Sequence, residues 1–238
     1  MLTIVIVGAD GAGKSSVSAR LLEDLPVPAR RMYLGANPDA RTHPLPTTRA
    51  VRWVRASRGR TQRAGGPPAI DDAPSTPPQG LARRTASAVR AAARVSNQMA
   101  EEAYQQAVID WHHARGRIVV CDRHPSADHF AHDLAPRPGL RASRRVHGAF
   151  LRRVVRQPDL VLVLDADPSV LHARKGEGTM AELASRRDEY LRYAASVDQA
   201  VVIDAAQPFD AVVAQALGAV SGALTGPAAD APVEELVR

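Results

Sequence analysis

Eight residues near the start of the chain have the types and spacing of a phosphate-binding loop. The pattern Gly-x4-Gly-Lys-Ser begins at Gly8 and ends at Ser15, with a further glycine at position 11. In such a loop the backbone N–H groups turn inward on phosphate, the lysine reaches the β and γ phosphates, and the serine hydroxyl ligates Mg²⁺. The helix that follows presents its positive N-terminal end to the same anion. The residues predicted to bind a nucleoside triphosphate are Asp10, Gly11, Ala12, Gly13, Lys14, Ser15 and Ser16.

A second pair of chemically competent residues, Asp122 and Arg123, directly follows the apolar run Ile118–Cys121. Ligands of parallel sheets bind at the carboxyl ends of the strands. Asp122 is therefore predicted to contact Mg²⁺, directly or through water, or to act as a base toward an acceptor, while a cap of the next turn is the structural alternative. The planar guanidinium of Arg123 suits bidentate binding of an acceptor phosphate. An ion pair within its own loop is the alternative.

A third cationic group, Arg174 and Lys175, stands where a helical pattern breaks into Gly176-Glu177-Gly178. Phosphoryl transfer needs positive charge over the migrating group and exclusion of water, so a closing basic lid is predicted here. An exposed helix end that interacts with its own dipole is the structural alternative. In the next helix Arg187 lies on an otherwise apolar stripe. It is expected either to meet an anion such as phosphate or to extend to solvent.

The segment after Arg123 is rich in histidine and aspartate, which raises the question of a metal site. The residues concerned are His124, Asp128, His129, His132 and Asp133. Their spacing matches no standard zinc pattern, so we expect a loop that shapes the acceptor pocket. Cys121 is the single cysteine, which excludes an internal disulfide and a cysteine-based metal site, and it is expected to be a small buried hydrophobe.

The elements that must position these residues alternate between apolar runs and helical patterns, which predicts a doubly wound α/β fold with a parallel sheet. Thr179 and Glu182 have the form of a capping box. The stretch 81–115 is predicted to be one long helix or two abutting ones. One domain is expected over 1–222, with a flexible insert at 58–80 and a C-terminal tail at 223–238. Strands are predicted at 2–7, 31–34, 118–121, 160–164 and 201–203, and further helices at 14–25, 140–156, 168–174, from 180 onward, and 208–220.

Charge and composition restrict the class of partner. The net charge of +6 comes almost wholly from arginine, since Lys14 and Lys175 are the only lysines. Without interleaved aromatic residues, attraction to a small anionic substrate explains this charge better than nucleic-acid binding. The absence of an 18-residue apolar run and of a signal sequence predicts a cytoplasmic protein without a membrane partner. The expected partner is a small-molecule phosphate acceptor, and a homodimer stays an open alternative.

Three segments, taken in chain order, resemble landmarks of the thymidylate kinases, which are nucleoside monophosphate kinases. They are Gly8–Ser16, Gly116–His124 and Pro158–Asp165, and the similarity extends over about 1–35 and 95–222. The resemblance implies a three-layer P-loop NTPase fold with a five-stranded parallel sheet flanked by helices. It also implies Mg·ATP as the donor and transfer of the γ-phosphoryl group to a nucleoside monophosphate such as dTMP.

The resemblance also assigns roles to individual residues. Asp10 faces the acceptor side, Asp122 serves Mg²⁺ or water, and Arg123 binds the acceptor phosphate. Arg174 and Lys175 stabilise the transferring phosphoryl group. The segment Ala205-Ala206-Gln207 falls where the family binds adenine.

The chain departs from the family on the acceptor side. His124 replaces the usual aromatic residue, and Tyr33-Leu34-Gly35-Ala36-Asn37-Pro38 stands where an Arg-Glu-Pro-Gly-Gly type of loop is expected. Two alternatives therefore stay open. The first is the same phosphotransfer machinery acting on a nucleoside, a sugar phosphate or a specialised metabolite. The second is an ATP-binding switch without catalytic activity.

Overall fold

The computed structural model describes residues 1–35, 45, 81–136, 138–176 and 178–225. The predicted insert at 58–80 lies outside these residues, as does the predicted tail beyond residue 225. None of the described helices combines the length and the apolar character that crossing a membrane requires.

Five strands form one parallel sheet in the order β2-β3-β1-β4-β5. Every residue of β1 is buried, which is typical of a parallel strand covered by helices on both faces. β1 pairs with β4 so that Ile4 lies opposite Leu160 and Val7 opposite Val163. The prediction of a five-stranded parallel sheet flanked by helices is confirmed. The strands are β1 (Thr3–Val7), β2 (Ala29–Tyr33), β3 (Ile118–Asp122), β4 (Leu160–Asp165) and β5 (Ala200–Asp204).

Strand β2 begins two residues earlier and ends one residue earlier than the apolar pattern predicts. Its limits follow backbone hydrogen bonds, since Ile118 donates to the carbonyl of Pro28 at 2.9 Å and Leu34 donates to that of Asp122 at 3.1 Å. Only Met32 of its five side chains is fully buried, so the apolar signal in the sequence is weak. The backbone, not the side-chain pattern, determines the bounds of β2.

The six predicted helical segments are present in the predicted order, but the last ends later than predicted and two short helices are added. Residues 81–113 form a single helix. The last helix continues to Thr225, because the sequence offers no break before Gly226-Pro227. A short α-helix and a π-helix at 125–134 are not predicted by the sequence pattern. The α-helices are α1 (Lys14–Asp24), α2 (Leu81–His113), α3 (Pro125–Asp128), α4 (Ala142–Val154), α5 (Pro168–Lys175), α6 (Met180–Ala194) and α7 (Phe209–Thr225), and the π-helix is Phe130–Leu134.

The predicted capping box at the start of α6 is confirmed. The hydroxyl of Thr179 accepts a hydrogen bond from the backbone N–H of Glu182 at 3.2 Å, and the Glu182 carboxylate accepts one from the Thr179 N–H at 2.7 Å. Two N–H groups that have no partner within a helix are satisfied in this way. Immediately before it, Gly176 ends α5 in the left-handed conformation.

Contacts divide the chain into two compact units. The first consists of Met1–Arg31, Gly116–Cys121 and Pro158–Arg238, and the second of Met32–Arg115 and Asp122–Gln157. The first unit contains the main apolar core, in which α1 packs on α7 and α5 packs on α6. In the second unit α2 packs on α4, and α4 packs on the π-helix. The expectation of a single domain over 1–222 stays a prediction.

Candidate functional site

The loop Gly8–Ser16 connects the carboxyl end of β1 to the N-terminus of α1, as the sequence predicts. It turns through positive φ angles of 92° at Gly11 and 85° at Gly13. A Cβ at position 11 would lie 2.5 Å from the carbonyl oxygen of Leu171, whereas a Cβ at position 13 meets no atom within 4 Å. Glycine is therefore required at position 11 by both conformation and space, and at position 13 by conformation alone.

Lys14 closes this loop. Its ammonium donates hydrogen bonds to the carbonyl oxygens of Gly8 and Ala9, both at 2.9 Å, and lies 3.7 Å from the carboxylate of Asp10. The side chain is only 9% exposed, while Ser15 and Ser16 lie exposed in the first turn of α1. That turn carries no acidic side chain, so its N-terminal partial charge favours an anion. Glycine turns, a buried cation and a helix N-terminus are thus combined in one short segment, and together they could hold a phosphate.

Arg174 lies at the end of α5 and contacts the segment predicted to bind adenine. One of its Nη atoms donates a 2.8 Å hydrogen bond to the carbonyl oxygen of Ala205, and the neighbouring Lys175 is exposed. The structure therefore brings Arg174 and the segment after β5 together within the first unit. Their roles toward a phosphoryl group and an adenine stay predictions.

For Arg187 the sequence leaves open a contact with an anion such as phosphate or extension to solvent, and in the structure its partner is a carboxylate of this chain. Its Nε and one Nη donate to the two oxygens of Asp165 at 2.6 and 2.8 Å. Asp165 is the last residue of β4, so this bidentate pair joins α6 to the end of a central strand. Such a planar pair is among the stronger contacts that an arginine can make.

Asp122 and Arg123 belong to the second unit, at the end of β3. Asp122 is 1% exposed, and its backbone carbonyl accepts a hydrogen bond from Leu34. Arg123 has a φ of 67° and is the one non-glycine residue with positive φ in the described part of the chain. Its guanidinium lies 3.8 Å from the carboxylate of Asp128. A left-handed conformation costs about 1–2 kcal/mol for an L-residue, and such strain concentrates at functional sites.

His124 follows this strained residue and caps α3. It is 1% exposed, and its Nδ1 lies 2.6 Å from the hydroxyl of Ser126. Burial lowers the pKa of His124 to about 4, so the ring is neutral at pH 7. The histidine that departs from the family pattern thus acts in the structure as a buried cap.

Two of the five predicted histidine and aspartate candidates come together with two residues that the sequence does not single out. We call Glu102, His129, Asp133 and His147 the histidine–carboxylate cluster. His147 places Nδ1 2.8 Å from Asp133 and Nε2 2.8 Å from Glu102. Burial alone would lower the pKa of His147, but its bonds to the two carboxylates raise it to about 9. Burial would raise the pKa of Asp133, but His129, His147 and Arg144 hold it well below its usual range.

Sequence reasoning missed Glu102 because it treats polar residues on a long helix as a solvated face. In α2 four of them are buried within six positions: Glu101, Glu102, Gln105 and Gln106. The two adjacent pairs lie four positions apart, on one face of the helix. This spacing is the one signal in the sequence that indicates a buried polar face. His147 could have been found from its position four residues before the buried Leu151, on the inner face of α4.

No protein-family model matches this chain, and no curated protein matches it either. The assignment of a function therefore depends on the residues and contacts described above.

We expect Gly11→Ala to destabilise the protein more than Gly13→Ala, although both replace a positive-φ glycine by the same residue. Conformation alone costs about 1–2 kcal/mol in each case, and the overlap with Leu171 adds to it only at position 11. Urea unfolding of the two variants measures the difference. Equal losses of unfolding free energy would contradict the loop conformation described here.

We expect the pH dependence of stability to contain a contribution from His124. Its folded pKa of about 4 lies below the ordinary 6.5, so between these values the unfolded chain binds more protons and stability falls as the pH falls. Relative to wild type, His124→Asn retains a capping side chain and removes the titration. From pH 7.5 to pH 5 wild type should lose about 2 kcal/mol more unfolding free energy than the variant. Parallel pH profiles would show that His124 is not a buried neutral ring.

Proposed function

We propose that this protein is an ATP- and Mg²⁺-dependent phosphotransferase that moves the γ-phosphoryl group to a nucleoside monophosphate, with dTMP as the first acceptor to test. The observation that carries the proposal is the Gly8–Ser16 loop with its buried Lys14. Two neutral carbonyl oxygens orient the ammonium at 2.9 Å, and the carboxylate of Asp10 lies farther away, at 3.7 Å. A cation held at the N-terminus of a helix is the arrangement that a polyphosphate requires.

The two residues proposed for Mg²⁺, Ser15 in the first unit and Asp122 in the second, each offer an oxygen of the hard type that this ion prefers. When bound, Mg²⁺ neutralises charge on the triphosphate oxygens. In the proposed reaction a phosphate oxygen of the acceptor attacks the γ-phosphorus. The bond to the β–γ bridging oxygen then breaks, and ADP leaves.

The remaining roles are proposed for residues that the chain already orients. Arg123 would bind the acceptor phosphate, and its strained backbone fixes the start of that side chain. Asp10 would face the acceptor. Arg174 and Lys175 would place positive charge over the transferring group. The loop contributes one cation, Lys14, and no arginine, so further positive charge over the transferring group has to come from outside it.

The decisive experiment is ADP release in a coupled assay with Mg·ATP against a panel of acceptors. We expect release that depends on a deoxynucleoside monophosphate, with dTMP the best of the four common ones. Activity on a nucleoside, a sugar phosphate or another alcohol, with none on nucleotides, would show that the acceptor is not a nucleoside monophosphate and would identify its class. ATP binding without acceptor-dependent ADP release would identify a nucleotide-binding switch.

Substitutions of Arg123 and Asp122 should separate acceptor binding from turnover. Removing a charge-assisted contact costs about 1.5–3 kcal/mol, so Arg123→Ala should raise the acceptor KM by about 10- to 100-fold. Arg123→Gly should raise it equally, yet be more stable than Arg123→Ala by about 1 kcal/mol because glycine tolerates the positive φ. Asp122→Asn should lower kcat instead.

Arg153→Ala removes an exposed arginine from the same unit and is the matched control, with no expected effect on either constant. An acceptor KM unchanged in both Arg123 variants would contradict the role proposed for this side chain. A loss of kcat confined to Asp122→Asn would then point to a hydroxyl acceptor.

A further inference from the structure

The histidine–carboxylate cluster lies entirely within the second unit and draws on three helical elements. Glu102 belongs to α2, Asp133 to the π-helix with His129 just before it, and His147 to α4. One ligand atom of each of His129, Asp133 and His147 lies within 4.8 Å of those of the other two. Two imidazoles and a carboxylate from separate helices are a common way to build a metal site in a helical bundle.

The position of His129 carries the argument. Its Nδ1 is buried and has no hydrogen-bond partner among the described residues, and it lies 3.5 Å from Oδ2 of Asp133. That distance is longer than an ordinary N–H···O bond. Tetrahedral bonds of about 2.0–2.2 Å to a metal separate neighbouring ligand atoms by about 3.3 Å. The spacing of these two atoms suits two ligands of one ion better than a hydrogen bond.

The outer contacts of the cluster have the form that supports metal-binding histidines. Glu102 lies 2.8 Å from Nε2 of His147, whereas the nearer contact of Nε2 of His129 is the side-chain amide nitrogen of Gln98 at 3.0 Å, with Glu102 at 3.7 Å. A carboxylate that accepts the outer ring proton fixes the tautomer in which Nδ1 is the ligand atom. Arg144 donates to Oδ1 of Asp133 at 3.0 Å, which leaves Oδ2 to face the rings.

We infer that Nδ1 of His129, Nδ1 of His147 and Oδ2 of Asp133 bind one divalent transition-metal ion of the zinc class, with Glu102 as the outer partner of His147 and the side-chain amide of Gln98 beside the outer nitrogen of His129. Imidazole nitrogens select such ions over Mg²⁺, so this site is independent of the proposed nucleotide chemistry. The distance between Nδ1 of His147 and Oδ2 of Asp133 is 2.8 Å. On binding the ion it has to increase by about half an ångström for the two atoms to reach the spacing of tetrahedral ligands. The ion joins the π-helix to α4.

The backbone around the cluster is packed closely enough to hold this geometry. Gly148 lies where any Cβ would overlap the carbonyl oxygen of Asp133, so α4 and the π-helix touch directly beside two of the ligands. A π-helical turn is uncommon and is found mostly at functional sites. Here it places Asp133 and His129, four residues apart, toward the same neighbour on α4.

The test is a titration of the full chain, prepared without a histidine tag and stripped with a chelator, with Co²⁺ as the first probe. We expect one ion per chain, the visible bands of tetrahedral Co²⁺, displacement of Co²⁺ by Zn²⁺, and no displacement by excess Mg²⁺. The midpoint of thermal unfolding should rise on addition of Zn²⁺, because the ion binds only the folded chain. No ATP or acceptor is present, so the result is separate from that of the kinase assay.

Variants identify the ligands. His129→Gln should abolish the Co²⁺ bands, and Glu102→Gln should weaken binding about 10- to 100-fold by removing the outer partner. His172→Ala removes an exposed histidine of the other unit and should change nothing. Circular dichroism confirms that each variant is folded before it is titrated.

Two results would overturn the inference, and the first needs no variant. Wild-type protein that shows no saturable Co²⁺ binding would identify the cluster as an ion-pair network around a charged His147. Binding that survives in His129→Gln but not in His172→Ala would place the ion elsewhere.

Discussion

The hydrogen bonds from Lys14 to the carbonyl oxygens of Gly8 and Ala9 are the contacts on which the first unit depends. β1 is buried along its whole length, and the chain must leave it and begin α1 within six residues. Carbonyl groups in so tight a turn have no strand or helix partner and would be costly if left unsatisfied. The lysine satisfies the carbonyl of Gly8 and is a second donor to that of Ala9, which also accepts from the Ala12 N–H, and α1 then packs on α7. A loop stabilised by a cation is also one that an anion can enter without rearranging the strand or the helix.

The parts of the fold that the sequence predicts are those with a local cause. β1, β3 and β4 are almost continuous apolar runs. The capping box of α6 needs only residues that lie within four consecutive positions. The start of β2 is predicted two residues too late because three of its five residues are alanine or arginine. Only its backbone hydrogen bonds to β3 define it. The short helices at 125–134 have no apolar periodicity of their own. They form where His124 caps one helix and where the π-helix packs on α4.

The same distinction applies to the candidate site: features with a local cause could be predicted, and contacts between distant residues could not. The Gly8–Ser16 loop could be predicted because its chemistry is contiguous, and Asp122 and Arg123 because they end an apolar strand. The partners of Arg174 and Arg187 could not be predicted, since Ala205 and Asp165 are 31 and 22 residues away along the chain. Glu102 and His147 are 45 residues apart. Their pairing depends on how two helices pack, and polar residues on a helix give no sign of that until the packing is known.

The backbone of Arg123 has a consequence for the evolution of this chain. At a φ of 67° a glycine avoids the steric cost that the Cβ of any other residue incurs. Mutational drift under selection for stability alone would therefore carry this position toward glycine, or toward asparagine, which also tolerates the left-handed region. Retention of arginine at this position in related chains would therefore indicate a selective pressure on the guanidinium itself, which a sequence comparison can detect without any assay of activity.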